Sequence, residues 1–351
     1  MLNNKIKVLV VDDSSLFREL LVQNLSTHPD IEVVGYAINA FDAKHKIPIL
    51  RPDVITLDVE MPGLSGIDFL KQLLPTNPLP VILVSSLNLS VFEALSAGAV
   101  DFVRKPDLSA HNSKDIFFSN LKTKVVIASK AKVHANKVSL GTSADISSKP
   151  VINSTLPSSV LNSTIIGIGA STGGTEATLD VLKQLPAQMP GIVVTQHMPE
   201  GFTAMYAERL NRLCNLTVKE AKNGDMIRPG LVLIAPGGMQ MEVIRSNLSY
   251  AVRVFPGQKV SGHAPSVDAL FTSIAKNVTI NQVGIIMTGM GRDGADGLLQ
   301  MKQKGAFTIG QDKESCVVYG MPMVAYNLGA VTVQSSCNNI PSVLMNHLKK
   351  M

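Results

Sequence analysis

Tryptophan is absent from the sequence, and aromatic residues make up only 5% of its 351 residues. The hydrophobic cores must therefore be built from valine, isoleucine, leucine, alanine and methionine. Cysteine is also scarce, because only Cys214, Cys316 and Cys337 are present, too widely separated for a disulfide framework or a metal-binding motif. This cysteine usage is typical of a reducing compartment, and we expect the protein to be cytoplasmic.

Long apolar runs are missing as well. No run approaches the ~18 residues that a membrane-spanning helix requires. The first segment reaches two aspartates by position 13, whereas a secretory signal has a longer apolar stretch and a small-residue cleavage site. We therefore expect neither export nor direct insertion into a membrane.

The net charge of +5 is concentrated in one part of the chain. Residues 108–164 contain seven lysines and two aspartates, and this surplus of five equals the whole net charge. The two ends of the chain are thus close to neutral. Because a DNA-binding domain would concentrate basic residues on a recognition element, we interpret the surplus as a basic helix and a solvated linker. We expect no nucleic-acid partner.

Composition divides the chain into two domains. Hydrophobic residues make up 45% and charged residues 17%, which is ample for two buried cores and excludes global disorder. Fourteen of the thirty residues 135–164 are Ser, Thr or Asn, so this stretch buries too little surface to offset its ordering entropy. The sequence predicts a first domain over residues 1–134, a flexible linker over 135–163 and a second domain over 164–351.

Both domains alternate apolar runs with amphipathic segments, as a parallel sheet covered by helices does. In the first domain, strands are predicted at residues 7–11, 32–36, 53–57, 80–84 and 100–103. In the second, they are predicted at 163–170, 191–196, 231–236 and 282–289, with a hairpin over 241–255 that turns at Asn247. Helices are predicted at 15–25, 66–74, 113–132, 173–185, 202–213, 266–276, 294–304 and 339–349. The fold class is α/β, with two doubly wound, mainly parallel domains.

Three carboxylates follow strands at one edge of the first predicted sheet. Asp12 and Asp13 follow the first strand, and Asp58 follows the third. Because ligand sites in open α/β sheets lie at the carboxyl ends of the strands, we expect these acids to lie together. Their repulsion requires a cation, and oxygen ligands suit Mg²⁺. Ser85 and Lys105 end two further strands at this edge and could hold phosphoryl oxygens. Any one acid could instead be a helix N-cap, but three acids together with Ser85 and Lys105 on one edge argue against that alternative.

A resemblance to response-regulator receiver domains is carried by the segments VDDS, LDVEMPGLSG, VSS and DFVRKP, over about residues 5–132. The resemblance implies that Asp58 accepts a phosphoryl group from a chemotaxis histidine kinase. It implies that Asp12 and Asp13, together with Asp58, hold Mg²⁺. It also implies three residues that contact or respond to the phosphoryl group: Ser85 as the switch hydroxyl, Phe102 as the aromatic that changes rotamer, and Lys105 as the phosphate partner.

The second domain opens with TIIGIGASTGGTEA, which indicates a strand, a glycine turn and a helix. A dinucleotide site needs G-x-G-x-x-G, and Gly167 and Gly169 fit, but Thr172 occupies the third glycine position. A P-loop needs Gly-Lys followed by Ser or Thr, which is absent. Residues 169–173 instead satisfy G-x-S-x-G, a turn that exposes a nucleophilic serine, here Ser171. The helix N-terminus would place backbone N–H groups beside an oxyanion.

A serine nucleophile needs a base and an acid that orients the base. His197 and Asp293 each follow a predicted strand, so both can meet Ser171 at one edge of the sheet. His263, which lies before a helix, is a rival for the base. His197 could also be an ordinary loop histidine, and Asp293 the N-cap of the helix at 294–304. The chain order Ser, His, Asp differs from the order in α/β-hydrolases, so this triad would belong to a different fold.

The second domain resembles the catalytic domain of chemotaxis receptor methylesterases. The matching segments, over about residues 164–325, are IGASTGGTEA, QHMPEGFTAMYAERL, IAPGGMQ, GHAPSVDALF, MTGMGRDGADGL and QDKESCVVYGMP. The resemblance implies a set of catalytic residues: Ser171 as the nucleophile, His197 as the base, Asp293 as the orienting acid, and Thr172 and Met290 around the oxyanion hole.

Joined in this order, the two domains imply a phosphorylation-regulated serine esterase. The resemblance implies hydrolysis of glutamate γ-methyl esters on methyl-accepting chemotaxis receptors, deamidation of specific receptor glutamines, and no cofactor for the esterase reaction. Two other classes stay open. A non-catalytic signalling output would not need all three residue types of a triad. A DNA-binding response regulator would carry a basic recognition helix after the linker, which the sequence lacks.

Overall fold

The computed structural model describes residues 5–86, 90–106, 113–133 and 155–351. The chain divides into two compact units, an N-terminal unit of residues 1–142 and a C-terminal unit of residues 143–351. Residues 135–154, which form most of the predicted linker, lie outside the described residues.

The described residues of the N-terminal unit form five strands and five helices in strict alternation. The strands are β1 (Ile6–Val11), β2 (Ile31–Ala37), β3 (Val54–Asp58), β4 (Val81–Ser85) and β5 (Asp101–Arg104). The helices are α1 (Ser15–Ser26), α2 (Ala40–Leu50), α3 (Gly66–Leu73), α4 (Ser90–Ser96) and α5 (Ser113–Ala128). All neighbouring strands pair in parallel, in the order β2-β1-β3-β4-β5. The predicted doubly wound parallel sheet is confirmed.

Local sequence explains where these elements start and which of them are central. All residues of β3 and β4 are buried, because helices cover both faces of the sheet and the strand sequences are apolar runs. The helices α1, α2 and α3 begin after Ser14, Asn39 and Ser65, whose side-chain oxygens each accept a backbone N–H of the first turn. These side chains therefore define the residue at which each helix begins.

The described residues of the C-terminal unit form a seven-stranded parallel sheet, an antiparallel hairpin and seven helices. The sheet strands are β6 (Thr164–Ala170), β7 (Gly191–Gln196), β8 (Thr217–Glu220), β9 (Leu231–Ile234), β12 (Asn281–Ile286), β13 (Phe307–Gln311) and β14 (Val333–Ser335). The hairpin strands are β10 (Gln240–Ser246) and β11 (Ser249–Phe255). The helices are α6 (Ser158–Asn162), α7 (Gly174–Leu182), α8 (Phe202–Leu213), α9 (Val267–Asn277), α10 (Ala295–Gln303), α11 (Met321–Asn327) and α12 (Ile340–Leu348).

The sheet order of the C-terminal unit is β14-β13-β12-β6-β7-β9-β8. From the central strand β6 the chain first adds strands on the β7 side, and later returns to add β12, β13 and β14 on the other side. The connections after β6 and β12 therefore leave the carboxyl edge toward opposite sides of the sheet. Such a switch point opens a crevice, and it is the usual place for a site in this class of fold.

The hairpin turns at Asn247, as predicted, and this residue has a left-handed φ of 52°. Helix α9 packs beside the hairpin and is tied to it by side chains. The backbone N–H of Val243 donates to Ser273 Oγ at 2.8 Å, and Asn277 Nδ2 donates to the carbonyl of Val243 at 2.7 Å. The hairpin thus fixes the helix whose N-terminus reaches the sheet edge.

Several elements differ from the sequence prediction. Helix α6 lies inside the range assigned to the linker, and its Val160 is buried with the preceding Leu156, so the end of that range is ordered structure. The predictions also omitted α11 and the strands β8, β13 and β14. These strands read TVKE, FTIGQ and VQS, so none is a continuous apolar run of the kind that marks the predicted strands. None of the helices in the described ranges combines the length and apolar character needed to cross a membrane.

Close packing at Gly169 joins β6 to helix α9. A Cβ added at Gly169 would lie 2.1 Å from Val267 Cγ1, far inside contact distance. Glycine is therefore required here by space, because the first turn of α9 presses directly on the strand that leads to the candidate site.

We predict that Gly169→Ala lowers the free energy of unfolding by about 1–3 kcal/mol through overpacking. The added methyl group collides with the Val267 side chain, so Val267→Ala in the same chain should recover part of the loss. Urea unfolding of the two single variants and the double variant, followed by circular dichroism, measures this coupling. Strictly additive losses would contradict it.

Candidate functional site

Ser171, His197 and Asp293 meet at the carboxyl edge of the C-terminal sheet. Ser171 directly follows β6, His197 directly follows β7, and Asp293 lies in the loop after β12. His197 Nδ1 lies 3.1 Å from Ser171 Oγ, and His197 Nε2 lies 2.7 Å from Asp293 Oδ2. The imidazole therefore bridges the hydroxyl and the carboxylate. The structure brings together the three residues that the sequence singled out.

Glycines make the turn at Ser171 possible. Gly173 has a φ of +77°, a left-handed conformation that glycine adopts without strain, and it caps the start of α7. A Cβ at Gly289, in the loop after β12, would lie 2.6 Å from Ser171 Cβ. The backbone N–H of Ser171 donates to the carbonyl of Thr288 at 3.0 Å. These contacts hold Ser171 at the crevice between β6 and β12.

Asp293 accepts hydrogen bonds from the beginning of helix α9. Its Oδ1 accepts from Ser266 Oγ at 2.8 Å and from the backbone N–H of Asp268 at 2.9 Å. Its Oδ2 accepts from the backbone N–H of Val267 at 2.8 Å as well as from His197. The predicted alternative, an N-cap of the next helix, is wrong, because Gly294 occupies that cap position without a side-chain hydrogen bond. The carboxylate instead lies at the positive end of α9.

These contacts set the charge of Asp293. Burial alone would raise its pKa, but the hydrogen bond and charge of His197, with the N–H of Asp268 and the hydroxyl of Ser266, hold the pKa below its usual range. Asp293 is therefore ionised at neutral pH and accepts the proton on His197 Nε2. In that tautomer Nδ1 is unprotonated and faces the hydroxyl of Ser171.

His263, the rival base, lies against His197. The two imidazole rings are stacked, with centroids 3.7 Å apart and planes inclined by 12°. The ring nitrogens that face Ser171 and Asp293 belong to His197. The geometry therefore favours His197 for the base.

Sequence reasoning missed two residues that organise this site. Gln196 Nε2 donates to the carbonyl of Ser171 at 2.8 Å and to that of His197 at 3.2 Å, so one buried amide joins two loops. Ser266 caps α9 and also donates to Asp293. The N-cap position of Ser266 was readable from the start of the predicted helix, but its link to Asp293 was not. Nothing in the local pattern distinguished Gln196.

The two residues predicted around an oxyanion hole are close to Ser171 in the structure. Thr172 is buried in the turn that precedes α7. Met290 follows Gly289, which lies against Ser171. Among the described residues, the backbone N–H of Met290 donates no hydrogen bond.

A second cluster of predicted residues lies at the carboxyl edge of the N-terminal sheet. Carboxylate oxygens of Asp12, Asp13 and Asp58 all lie within 4.8 Å of one another. Lys105 Nζ is 2.6 Å from Asp58 Oδ2 and 3.3 Å from Asp12 Oδ2. Asp12 and Asp58 are buried, whereas Asp13 is exposed. The predicted convergence of strand ends is confirmed for this edge.

Charge repulsion at this edge is only partly relieved by Lys105. Burial raises the pKa of Asp58, and the Lys105 ammonium offsets only part of that effect. Burial also raises the pKa of Asp12, to which the charge of Asp58 adds. Asp12 Oδ2 is buried, and apart from the ion-pair contact with Lys105 at 3.3 Å it has no hydrogen-bond partner among the described residues. A small divalent cation with oxygen ligands fits this set of donors.

Ser85 and Phe102 lie next to this cluster in the sheet. Val84 pairs with Asp58, so Ser85 is the next residue along β4 beyond that pair. Its hydroxyl is buried and, among the described residues, has no hydrogen-bond partner. Phe102 is buried in β5, three residues before Lys105.

Comparison with known families assigns both units. Residues 166–344 match the family described as CheB methylesterase, and residues 8–112 match the response regulator receiver domain. A protein from Syntrophomonas wolfei named protein-glutamate methylesterase/protein-glutamine glutaminase 2 is 51% identical over 347 residues, 99% of each chain. A Syntrophotalea carbinolica protein named protein-glutamate methylesterase/protein-glutamine glutaminase is 50% identical over 332 residues, 93% of this chain and 92% of that one.

A solved structure agrees with the assignment of the C-terminal unit. The CheB methylesterase catalytic domain of Thermotoga maritima is similar with a TM-score of 0.51 and 36% sequence identity. The similarity covers 52% of this chain and 97% of the Thermotoga domain. With the fold, the site and nearly full-length relatives in agreement, the chain belongs to the CheB methylesterase family, with a response regulator receiver domain ahead of its catalytic domain.

Proposed function

We propose that this chain is a phosphorylation-regulated serine hydrolase that cleaves glutamate γ-methyl esters on chemotaxis receptors and deamidates specific receptor glutamines. The observation that carries the proposal is the position of His197, with one ring nitrogen 3.1 Å from Ser171 Oγ and the other 2.7 Å from Asp293 Oδ2. A hydroxyl, an imidazole and an ionised carboxylate in this sequence are the parts of an activated serine nucleophile. A domain that only binds a partner would not need a histidine placed between Ser171 and Asp293 in this way.

In the first half of the reaction, Ser171 Oγ attacks the ester carbonyl while its proton passes to His197 Nδ1. The imidazolium that forms is stabilised by the charge of Asp293. The tetrahedral intermediate then collapses, the bond to the methoxy oxygen breaks, and His197 returns the proton to that oxygen. Methanol leaves, and the glutamyl group remains esterified to Ser171.

In the second half, His197 takes a proton from a water molecule that attacks the acyl-serine. The Ser171–acyl bond breaks, the proton returns to Ser171 Oγ, and a glutamate carboxylate is released. A glutamine amide passes through the same type of intermediate, with ammonia as the leaving group, so one site serves both substrates. None of these steps uses a cofactor.

Backbone N–H groups stabilise the oxyanion in this proposal. Thr172 stands directly before the N-cap of α7, where backbone N–H groups and the helix dipole favour negative charge. Met290 follows Gly289, which lies against Ser171, and the N–H of Met290 donates to no other group of the described chain. Two such donors are the usual composition of an oxyanion hole.

For the receiver domain, we propose that Asp58 accepts a phosphoryl group from a chemotaxis histidine kinase. A carboxylate oxygen of Asp58 attacks phosphorus and the kinase imidazole leaves. Mg²⁺ held by Asp12, Asp13 and Asp58 would neutralise charge on the phosphoryl oxygens. Lys105, which contacts Asp58, and the hydroxyl of Ser85 would bind those oxygens. Phe102 would change rotamer with the movement of Ser85.

The proposed partners follow from these two activities. The substrate is the cytoplasmic domain of methyl-accepting receptors, the phosphodonor is their kinase, and the protein works in the cytoplasm. We propose no nucleic-acid partner, since the surplus of basic residues falls within residues 108–164 and no basic recognition helix follows it in the sequence.

Replacement of the nucleophile tests the proposal directly. We predict that Ser171→Ala and His197→Ala each slow methanol release from methylated receptor fragments by about 10³-fold or more, because neither variant retains a nucleophile with its base. Ser249→Ala, an exposed serine of β11, is the matched control and should keep the parental rate. Circular dichroism checks that each variant is folded. A folded Ser171→Ala protein with near-normal turnover would refute the assignment. So would a larger loss of methanol-release rate in His263→Ala than in His197→Ala.

The receiver chemistry is tested separately with a small-molecule phosphodonor. We predict that Asp58→Ala abolishes phosphoryl incorporation, since the accepting oxygen is lost, and that removal of Mg²⁺ does the same to the parent chain. Asp115→Ala, an exposed aspartate of α5, is the control. The donor should change methanol release by the parent and leave Asp58→Ala unaffected. Stable phosphate on another residue would overturn the assignment.

A further inference from the structure

The imidazole ring of His263 lies against that of His197 and takes no part in the proposed proton transfers. His263 covers one face of the ring, with centroids 3.7 Å apart and an angle of 12° between the planes. The side chain of His197 is only 9% exposed. The stacked ring therefore also keeps water away from one side of the His197–Asp293 hydrogen bond.

The turn that carries His263 is anchored by a buried amide. Gln240 is 2% exposed, and its Nε2 donates to the carbonyl of His263 at 2.9 Å and to that of Gln258 at 3.0 Å. The Oε1 of the same side chain accepts the backbone N–H of Ser266 at 3.0 Å. Ser266 in turn donates its hydroxyl to Asp293. One chain of hydrogen bonds thus links the backbone of His263 to the partner of His197.

A second set of contacts holds the same turn. Val260 and His263 exchange backbone hydrogen bonds of 3.0 and 2.9 Å. Ser261 Oγ donates to the carboxylate of Asp268 at 2.9 Å, and that carboxylate also accepts the N–H of Gly297 at 2.8 Å. The turn is fixed both to α9 and to α10. The ring of His263 is therefore carried by an anchored turn that packs beside His197.

Two hydrogen bonds fix the nitrogen atoms of His197 but do not fix the tilt of its ring. The imidazole is held only through its two nitrogen atoms in these contacts, so the ring can still rotate about the line between Ser171 Oγ and Asp293 Oδ2. Such a tilt misaligns Nδ1 with the serine hydroxyl, and small misplacements of a base are costly. A flat ring held against one face removes this freedom.

We propose that His263 is a positioning residue, whose ring stacks on His197 and keeps that imidazole aligned with both Ser171 and Asp293. The proposal rests on the proposed serine hydrolase activity and adds a residue to it. It requires a flat ring at position 263 and does not require ring nitrogens. This requirement separates positioning from a role as the base.

The test compares His263→Ala, which removes the ring, with His263→Phe, which retains a flat ring without nitrogen. The first readout is the rate at which Ser171 of the full chain is labelled by a fluorophosphonate, since labelling needs an activated serine but no receptor. The second is the low-field proton NMR resonance of the His197 Nε2–H, assigned by its loss in His197→Ala. His347→Ala is the matched control, because His347 is stacked on Phe307 with centroids 3.9 Å apart.

We expect His263→Ala to label about tenfold to a hundredfold more slowly and to broaden or lose the low-field resonance. His263→Phe should recover most of the rate and the resonance, and His347→Ala should match the parent. If both variants at position 263 match the parent, the stack has no role and the proposal fails. If both label slowly while the resonance is intact, the ring nitrogens of His263 matter and positioning is refuted. Failure of the parent chain to release methanol from receptor esters would count against the proposed function alone, because the resonance does not depend on substrate.

Discussion

The carboxylate of Asp293 is held by four hydrogen bonds, and the geometry of the C-terminal site depends on it. Three come from the start of α9, namely from Ser266 Oγ and the backbone N–H groups of Val267 and Asp268, and the fourth comes from His197. Because these donors and His197 together keep the carboxylate charged, the imidazole has one tautomer, with its Nε2–H directed at Asp293. The hairpin packs against α9, and Gly169 leaves room for α9 to approach β6. Both contacts hold in place the helix that carries these donors.

Both units place aspartates at the carboxyl edge of a parallel sheet, but their surroundings have opposite effects. Asp293 is buried among N–H and O–H donors and an imidazole, so its pKa is lowered and it needs no metal to remain charged. Asp12 and Asp58 are buried beside each other with Lys105 as the cation, and their pKa values are raised. The first arrangement suits a fixed orienting charge. The second suits a site that binds a cation and changes when a phosphoryl group arrives.

The sequence predicted the two α/β units and the edge at which each site lies, because apolar runs mark buried parallel strands and their ends share one edge. Ser171, His197 and Asp293 could be found by that reasoning, as could Asp12, Asp13 and Asp58. The partners of Asp293 could not, because Ser266 lies 27 residues away and no local pattern links the two. The stacking of His263 on His197 could likewise not be predicted, since it depends on a turn held by Gln240, which is distant in sequence. Short strands such as β14, with three residues, carry too little periodicity to be recognised.

The central claim is that a charged Asp293 sets the tautomer of His197, and Asp293→Asn tests it most directly. An asparagine amide keeps the size of the side chain but donates to Nε2, which moves the ring proton to Nδ1 and leaves no acceptor for the Ser171 proton. The control is Asp296→Asn, three residues along the chain, where the carboxylate is exposed and pairs with Arg292. We predict that Asp293→Asn lowers the rate constant for methyl ester hydrolysis by about 10³- to 10⁴-fold in a folded protein, with the control unchanged. A folded Asp293→Asn protein that turns over within a few-fold of the parent would contradict the account.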